Sequence, residues 1–300
     1  MKYARVDLGE YVVISIWFGC NSACTICMLS QVRSSLPGIG FDRFKQVLLD
    51  VMRDGRYGRL ILSGGEVTTF GELDRYVEFA ASLGCFKRIQ IQTNGRRLRD
   101  REYLRHLIGC GVNEFFVSVH GLQRIHDEIS GRIGAFEETM EGLVNLGEVD
   151  VNVISNTVLT RTNLNDIPSL LAILCSERIS ELHLWNYFPM ESTDTRDLVV
   201  GMKEVVRLLP KALAIAEKAG KALVFKSFPE CLFMGEPGFF DNRFPVTVLP
   251  DLFWRQFAES GFGACTYRAG GECKNQECWG LSKAHISKYG DERDLLKPMV

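Results

Sequence analysis

Three cysteines within eight residues, Cys20, Cys24 and Cys27, follow directly on an apolar run from Tyr11 to Ile16. A C-x3-C-x2-C array this dense calls for a metal. Four protein thiolates would close a tetrahedral zinc site or complete an ordinary iron–sulfur cluster, whereas three leave one metal position open to another ligand. The array therefore predicts a metal centre with an open position at the end of a strand. A zinc knuckle completed by a fourth ligand from elsewhere in the chain is the alternative.

The next loop points the same way. Arg59-Leu-Ile-Leu-Ser-Gly-Gly-Glu66 is a short apolar strand that runs into two glycines and a carboxylate. Glycines there predict close approach of the backbone to a ligand, and an acidic side chain suits an ammonium group. Together the two loops resemble the motifs of the radical S-adenosylmethionine enzymes. The resemblance implies that Cys20, Cys24 and Cys27 hold a [4Fe–4S] cluster whose fourth iron takes the amino and carboxyl groups of S-adenosylmethionine, with Gly64, Gly65 and Glu66 at the methionine amino group. Two positions depart from the pattern: Ile26 stands before Cys27 where many members have an aromatic residue, and Val67 follows Glu66 in place of the commoner proline.

Composition narrows the setting. A 300-residue chain with 46% hydrophobic residues has ample material for a core, and a net charge of −2 with scattered Lys and Arg offers no basic field for nucleic acid. No apolar run reaches the roughly 20 residues of a membrane span. The charged N-terminal residues are unlike a signal peptide, so a cytoplasmic protein is expected. Ten cysteines in such a protein point to metal or redox chemistry and not to disulfides. Cys85, Cys110 and Cys175 stand alone near helix ends and read as small buried hydrophobes.

Strand-like runs near 11–16, 59–63, 88–92, 114–119, 150–158, 180–185 and 222–226 alternate with amphipathic segments at 41–53, 71–83, 100–109, 135–147, 164–176 and 198–219. This βαβ rhythm predicts a parallel sheet with helices on its outer face. Asp100 and Asn163 suit helix N-caps, and Gly84 and Gly220 suit C-caps. The fold class is α/β: a partial (β/α)6 TIM-like barrel over residues 1–226, then a loop-rich, cysteine-containing extension over 227–300. The family resemblance covers roughly residues 10 to 190. Ligands of such folds sit at the carboxyl ends of the strands.

The motifs fall at those ends. Thr93 and Asn94, in Thr-Asn-Gly, occupy a position that lines the cofactor site in the family. Ser118 and His120 end the fourth strand, where relatives carry Ser-x-Asp-Gly; His120 in place of the Asp marks a candidate for substrate or proton handling near neutral pH. Asn156 resembles an asparagine that many members turn toward the cofactor. The aromatic-rich run from Leu182 to Met190 is either pocket wall or barrel packing. The run from His126 to Glu137 resembles a family linker that caps the next helix and reads as structural. The basic run Arg96 to Arg101, with Arg105, reads as a solvated helix start, with contact to a phosphate or carboxylate as the alternative.

In the last quarter, Cys231, Cys265, Cys273 and Cys278 gather in a Pro-, Gly- and aromatic-rich stretch. Loop-rich sequence of this kind needs a staple, and four thiolates suit an auxiliary [4Fe–4S] cluster, with structural zinc or free thiols as alternatives. The stretch resembles the twitch or SPASM extensions of the same family, with non-standard spacing. The function expected from the resemblance is reductive cleavage of S-adenosylmethionine and oxidation of a peptide or small metabolite, with electrons from a donor such as flavodoxin or ferredoxin. With the first strand beginning by residue 11, an N-terminal leader-binding domain is not expected, which counts against a ribosomal-peptide substrate, although such a domain could be a separate protein. Sulfur insertion and methyl transfer are the alternative chemistries. A non-catalytic, zinc-stabilised binding protein is the alternative of another class.

Overall fold

The run Tyr-Val-Val-Ile-Ser-Ile-Trp forms β1 (Tyr11–Trp17), buried along almost its whole length, as an apolar β-branched stretch is when both faces of a strand are covered. It belongs to an eight-stranded sheet in the computed structural model, which describes residues 8–232, 239–259, 265–275 and 277–298. The chain continues through α1 (Phe41–Asp54), β2 (Arg59–Gly64), α2 (Leu73–Ser82), β3 (Arg88–Thr93), α3 (Arg101–Cys110) and β4 (Glu114–Ser118). Next come α4 (Gln123–Ser130), α5 (Ala135–Gly147), β5 (Asn152–Leu159), α6 (Ile167–Ser176), β6 (Glu181–Asn186), α7 (Met202–Lys218) and β7 (Ala222–Lys226). After these stand β8 (Val246–Val248), α8 (Asp251–Glu259), α9 (Thr266–Ala269) and α10 (Lys283–Tyr289).

The strands lie in the order β7-β6-β5-β4-β3-β2-β1-β8, with every neighbouring pair parallel. Helices cover the outer face, which gives the partial TIM-like barrel expected from the alternation. Along β1 and β2 the side chains divide by period two. Val12, Ile14, Ile16, Leu60 and Leu62 pack outward with Phe44, Leu48, Tyr76 and Val77. Tyr11, Val13 and Ile61 make a separate cluster. The Glu114 carboxylate, 0% exposed, accepts from Tyr11 Oη at 2.6 Å, Gln90 Nε2 at 2.8 Å and Asn152 Nδ2 at 2.6 Å. Three donors make this buried charge tenable and tie four strands together.

Several local readings need correction. The stretch from His126 to Glu137, read as a linker, begins inside the helix α4 (Gln123–Ser130). Asn163 is not an N-cap: α6 starts later, and Asn163 Nδ2 instead donates to His120 O at 2.5 Å and Val158 O at 2.8 Å, pinning the β4 and β5 exits together. Asp100 does cap α3, accepting from Glu102 N and Tyr103 N.

Beyond residue 226, where the sequence shows no further βα rhythm, the chain returns to the sheet. Phe240 bridges in parallel to Phe225 beside β7, and β8 pairs with β1 at the opposite edge. Residues 241–245 therefore pass from one edge strand to the other. A three-residue strand bounded by prolines carries too little period-two pattern to be seen in sequence. Residues 1–7 and residues 233–238 of the Pro- and Gly-rich run lie outside the described residues. Among the described residues, no helix is long and apolar enough to cross a membrane.

Gly64 marks where β1 and β2 come closest. Its φ is +134°, and a Cβ there would lie 2.0 Å from Trp17 O. Gly64→Ala is expected to cost on the order of 3 kcal/mol from strain and overlap together. At Gly55, φ is +71° and an added Cβ would have nothing within 4 Å, so Gly55→Ala should cost only about 1 kcal/mol. Chemical denaturation of the two variants checks this; equal losses would contradict the close approach at Gly64.

Candidate functional site

A cavity of about 640 Å³ opens among the carboxyl ends of the strands. The loop after β1 that carries Cys20, Cys24 and Cys27 forms one wall. Backbone bonds hold that loop against the end of β2: Gly65 N donates to Trp17 O at 2.7 Å and Glu66 N to Gly19 O at 2.8 Å. A Cβ on Gly65 would lie 2.3 Å from Gly19 O. The glycine pair is thus required by the approach of two backbones, where sequence reasoning assigned it to a ligand.

Two further supports reach the same loop. Ser130 O and Ile129 O, at the end of α4, accept from Ala23 N at 3.0 Å and Thr25 N at 2.8 Å. Arg96, 7% exposed, donates through Nη1 to Asn21 O at 2.9 Å and Ser22 Oγ at 3.2 Å, and through Nε to Glu138 Oε2 at 2.5 Å. Arg96 is therefore no solvated helix start. A buried guanidinium spans the cysteine loop and α5, and its carboxylate partner lies 42 residues away in sequence.

Glu66 is 1% exposed and lines the cavity. Its Oε1 accepts from Thr68 N at 3.1 Å, Thr68 Oγ1 at 2.7 Å and Thr93 Oγ1 at 2.7 Å, while Oε2 accepts from Asn94 N at 2.6 Å. Burial pushes the Glu66 carboxyl above the usual range, opposed by the bonds from Asn94, Thr93 and Thr68. Oε2, with one partner, retains acceptor capacity. Asn94 Nδ2 also donates to Asn21 Oδ1 at 2.8 Å. The structure so brings Glu66, Thr93 and Asn94 together with the cysteine loop.

Ser118 and Asn156 face each other across β4 and β5, Asn156 Nδ2 lying 3.4 Å from Ser118 Oγ. Both line the cavity, and Asn156 Oδ1 is buried without a hydrogen-bond partner among the described residues. His120 lines it too, 6% exposed, with Nδ1 accepting from Val158 N at 3.2 Å. In the neutral ring the proton then sits on Nε2. Burial, then His126, holds the His120 pKa down at about 3. His126, which the sequence offered only as the start of a structural run, accepts from His120 N at 3.0 Å.

The donor chemistry of the cysteine loop fits an iron–sulfur cluster. All three thiols are half-buried, and Ser22 N donates to Cys20 Sγ at 3.4 Å. Burial, then the neighbouring Cys27 and Cys20 thiols, pushes Cys24 up to about 12. Thiolates crowded this closely repel one another unless a cationic centre neutralises them, as a metal cluster would. Elsewhere, Cys231, Cys265, Cys273 and Cys278 line one small cavity. Burial, then Cys278, Cys265 and Cys273, pushes Cys231 up to about 12. Gly280 allows this gathering, since a Cβ there would lie 2.4 Å from Cys265 Cβ, and its N–H donates to Cys278 Sγ at 3.3 Å. Among the described residues, no three His, Cys, Asp or Glu side chains form a ligand set for a single metal ion.

Residues 14–174 match the model of the Radical SAM superfamily. The chain is 29% identical over 198 residues to an AdoMet-dependent heme synthase of Methanosarcina barkeri, covering 65% of this chain and 56% of that protein. It is 26% identical over 171 residues to the sporulation killing factor maturation protein SkfB of Bacillus subtilis, covering 55% and 40%. The fold resembles that of Streptococcus suis SuiB bound to the precursor peptide SuiA, with a TM-score of 0.59 at 18% identity, covering 72% of this chain and 48% of that one. The chain spans 40% to 56% of the length of these two curated relatives.

The buried histidines set a pH dependence. His120 and His126 fall from an ordinary 6.5 to about 3 and about 4, each by burial first. Both are neutral in the fold and take up protons more readily when unfolded. Their contribution is therefore complete above pH 6.5 and lost as pH falls toward the folded values, by about 2 kcal/mol per histidine at pH 5. Urea denaturation at pH 7 and pH 5 should show that loss, and His126→Asn should remove about half of it. A stability independent of pH over this range would contradict the burial of both rings.

Proposed function

Because the chain belongs to the radical SAM superfamily, we propose that it cleaves S-adenosylmethionine reductively at a cluster held by Cys20, Cys24 and Cys27 and takes hydrogen from a peptide or small-metabolite substrate. Members similar to it are enzymes. One observation carries this reading: three thiols on one loop and the buried Glu66 share the wall of a single cavity, joined by backbone hydrogen bonds. When bound, a [4Fe–4S] cluster with S-adenosylmethionine supplies a 5′-deoxyadenosyl radical able to abstract hydrogen.

The chain's own residues do the rest. Glu66 would accept from the methionine ammonium through Oε2. Gly64 and Gly65 bring that carboxylate beside the cysteine loop. Thr93 and Asn94 hold Glu66 in place, and Ser118 and Asn156 would offer hydrogen bonds to the polar parts of the cofactor. His120, neutral, would donate from Nε2. Val13, Ile61, Phe116 and Ile154 give the chamber an apolar lining that keeps water from a reactive centre. Cys231, Cys265, Cys273 and Cys278 would hold an auxiliary [4Fe–4S] cluster that assists oxidation or substrate binding. The relatives' names include a maturation protein and heme synthases, and one fold neighbour is bound to a precursor peptide. These support a peptide or small-molecule substrate. A cytoplasmic electron donor such as flavodoxin or ferredoxin would complete the system.

Anaerobic purification and reconstitution with iron and sulfide should yield about eight irons per chain, falling to about four in the Cys20→Ala, Cys24→Ala, Cys27→Ala variant, which should form no 5′-deoxyadenosine. Replacing Cys231, Cys265, Cys273 and Cys278 by alanine should leave the other cluster and cofactor cleavage in place. A colourless, zinc-binding protein would overturn the reading.

A further inference from the structure

Three arginines reach the cysteine loop, and each brings its charge there in a different state. Arg96, 7% exposed, donates to Asn21 O and Ser22 Oγ and is neutralised by Glu138 at 2.5 Å. Arg196 donates to Thr25 O from the exposed side of the loop, where water and salt screen its charge. Arg33 differs from both. It is half-buried, it lines the cavity with Cys20, Cys24 and Cys27, and its Nη1 donates to Ser22 O at 3.3 Å. Among the described residues no carboxylate pairs with it.

Local turns set this position. Ser30 N donates to Cys27 O at 3.2 Å and Arg33 N to Leu29 O at 2.7 Å, so the residues after the third cysteine wind back toward the loop. The Arg33 guanidinium meets the Ser22 carbonyl while the Ser22 N–H donates to Cys20 Sγ at 3.4 Å. A single residue thus stands between the cation and the first thiol. Burial holds the Cys20 and Cys24 thiols above their usual range, and the Arg33 charge is among the influences that lower them. A guanidinium keeps its charge at any working pH, so this influence is permanent.

We propose that Arg33 is a fixed positive charge that raises the reduction potential of the cluster held by Cys20, Cys24 and Cys27. The assignment rests on the function proposed above in placing a cluster on these thiolates, and it adds the means by which this chain makes that cluster reducible. The step concerned is the passage of one electron from a reduced carrier protein, which is oxidised, to the cluster, with no bond made or broken and no proton moved. Thiolate ligands make the centre anionic, and the added electron makes it more so. A neighbouring cation favours the more negative state, and most strongly where little water screens it. Arg33 joins the three properties this needs: nearness to the thiolates, partial burial and an unneutralised charge.

Redox titration of the reconstituted full chain, followed by electron paramagnetic resonance without S-adenosylmethionine, tests it without any turnover. The signal missing from the Cys20→Ala, Cys24→Ala, Cys27→Ala variant identifies the cluster concerned, and any remaining signal is the internal reference. Arg33→Gln should make that cluster at least about ten-fold harder to reduce, a fall of about 59 mV for one electron, with the reference unmoved. Arg33→Lys keeps the charge and should stay within about three-fold of the unaltered chain. An unmoved potential in Arg33→Gln overturns the proposal, and so does an equal fall in Arg33→Lys or in the reference signal. If Arg33→Gln takes up no iron, Arg33→Lys decides: a ten-fold fall there overturns the proposal, and a potential within about three-fold supports it. A chain whose three thiols take up no cluster sinks both this role and the proposed reaction. A chain that shows the shift yet forms no 5′-deoxyadenosine sinks the reaction and leaves the role of Arg33 standing.

Discussion

One buried carboxylate organises the functional end of the barrel. Glu66 accepts four hydrogen bonds, from Thr68 on its own loop and from Thr93 and Asn94 at the end of β3. Its own N–H holds Gly19, next to the first cysteine. A charge removed from water must be met on several sides at once, so the exits of β1, β2 and β3 have little freedom to stand elsewhere. The cysteine loop inherits its position from that constraint.

The same logic spreads outward. Arg96 reaches from the β3 exit to the cysteine loop and is itself neutralised by Glu138 on α5. The end of α4 accepts two N–H groups of the loop, so a helix between β4 and α5 braces residues attached to β1. At the opposite end of the strands, Glu114 performs the matching task for Tyr11, Gln90 and Asn152. The barrel is thus stitched by buried acids above and below, and its middle is left apolar and open.

The βα alternation was legible because a parallel strand buried on both faces must be a short apolar run, while its covering helices show a period near 3.6. The cysteine loop and Glu66 were legible because their chemistry is local. Arg96 was not. Beside Arg97 and Arg99 it looks like one more charge at a helix start, and only the fold supplies Glu138 and Asn21 as partners. Lys226 likewise ends an ordinary strand, and its burial depends on residues 241–245 crossing the gap between the edge strands. Gly64 and Gly65 were rightly singled out for close approach, but the closest backbone is that of Trp17 and Gly19. His120 was picked out by its identity, while its burial and the bond it accepts from Val158 N come from the fold.

The proposed chemistry depends above all on Cys20, Cys24 and Cys27 holding a cluster with one iron left open toward the cavity. Mössbauer spectroscopy of ⁵⁷Fe-reconstituted protein, with Cys231, Cys265, Cys273 and Cys278 replaced by serine, reads that iron directly. The result expected is a single distinct iron whose signal shifts when S-adenosylmethionine is added. Irons that are all indifferent to S-adenosylmethionine would contradict the claim.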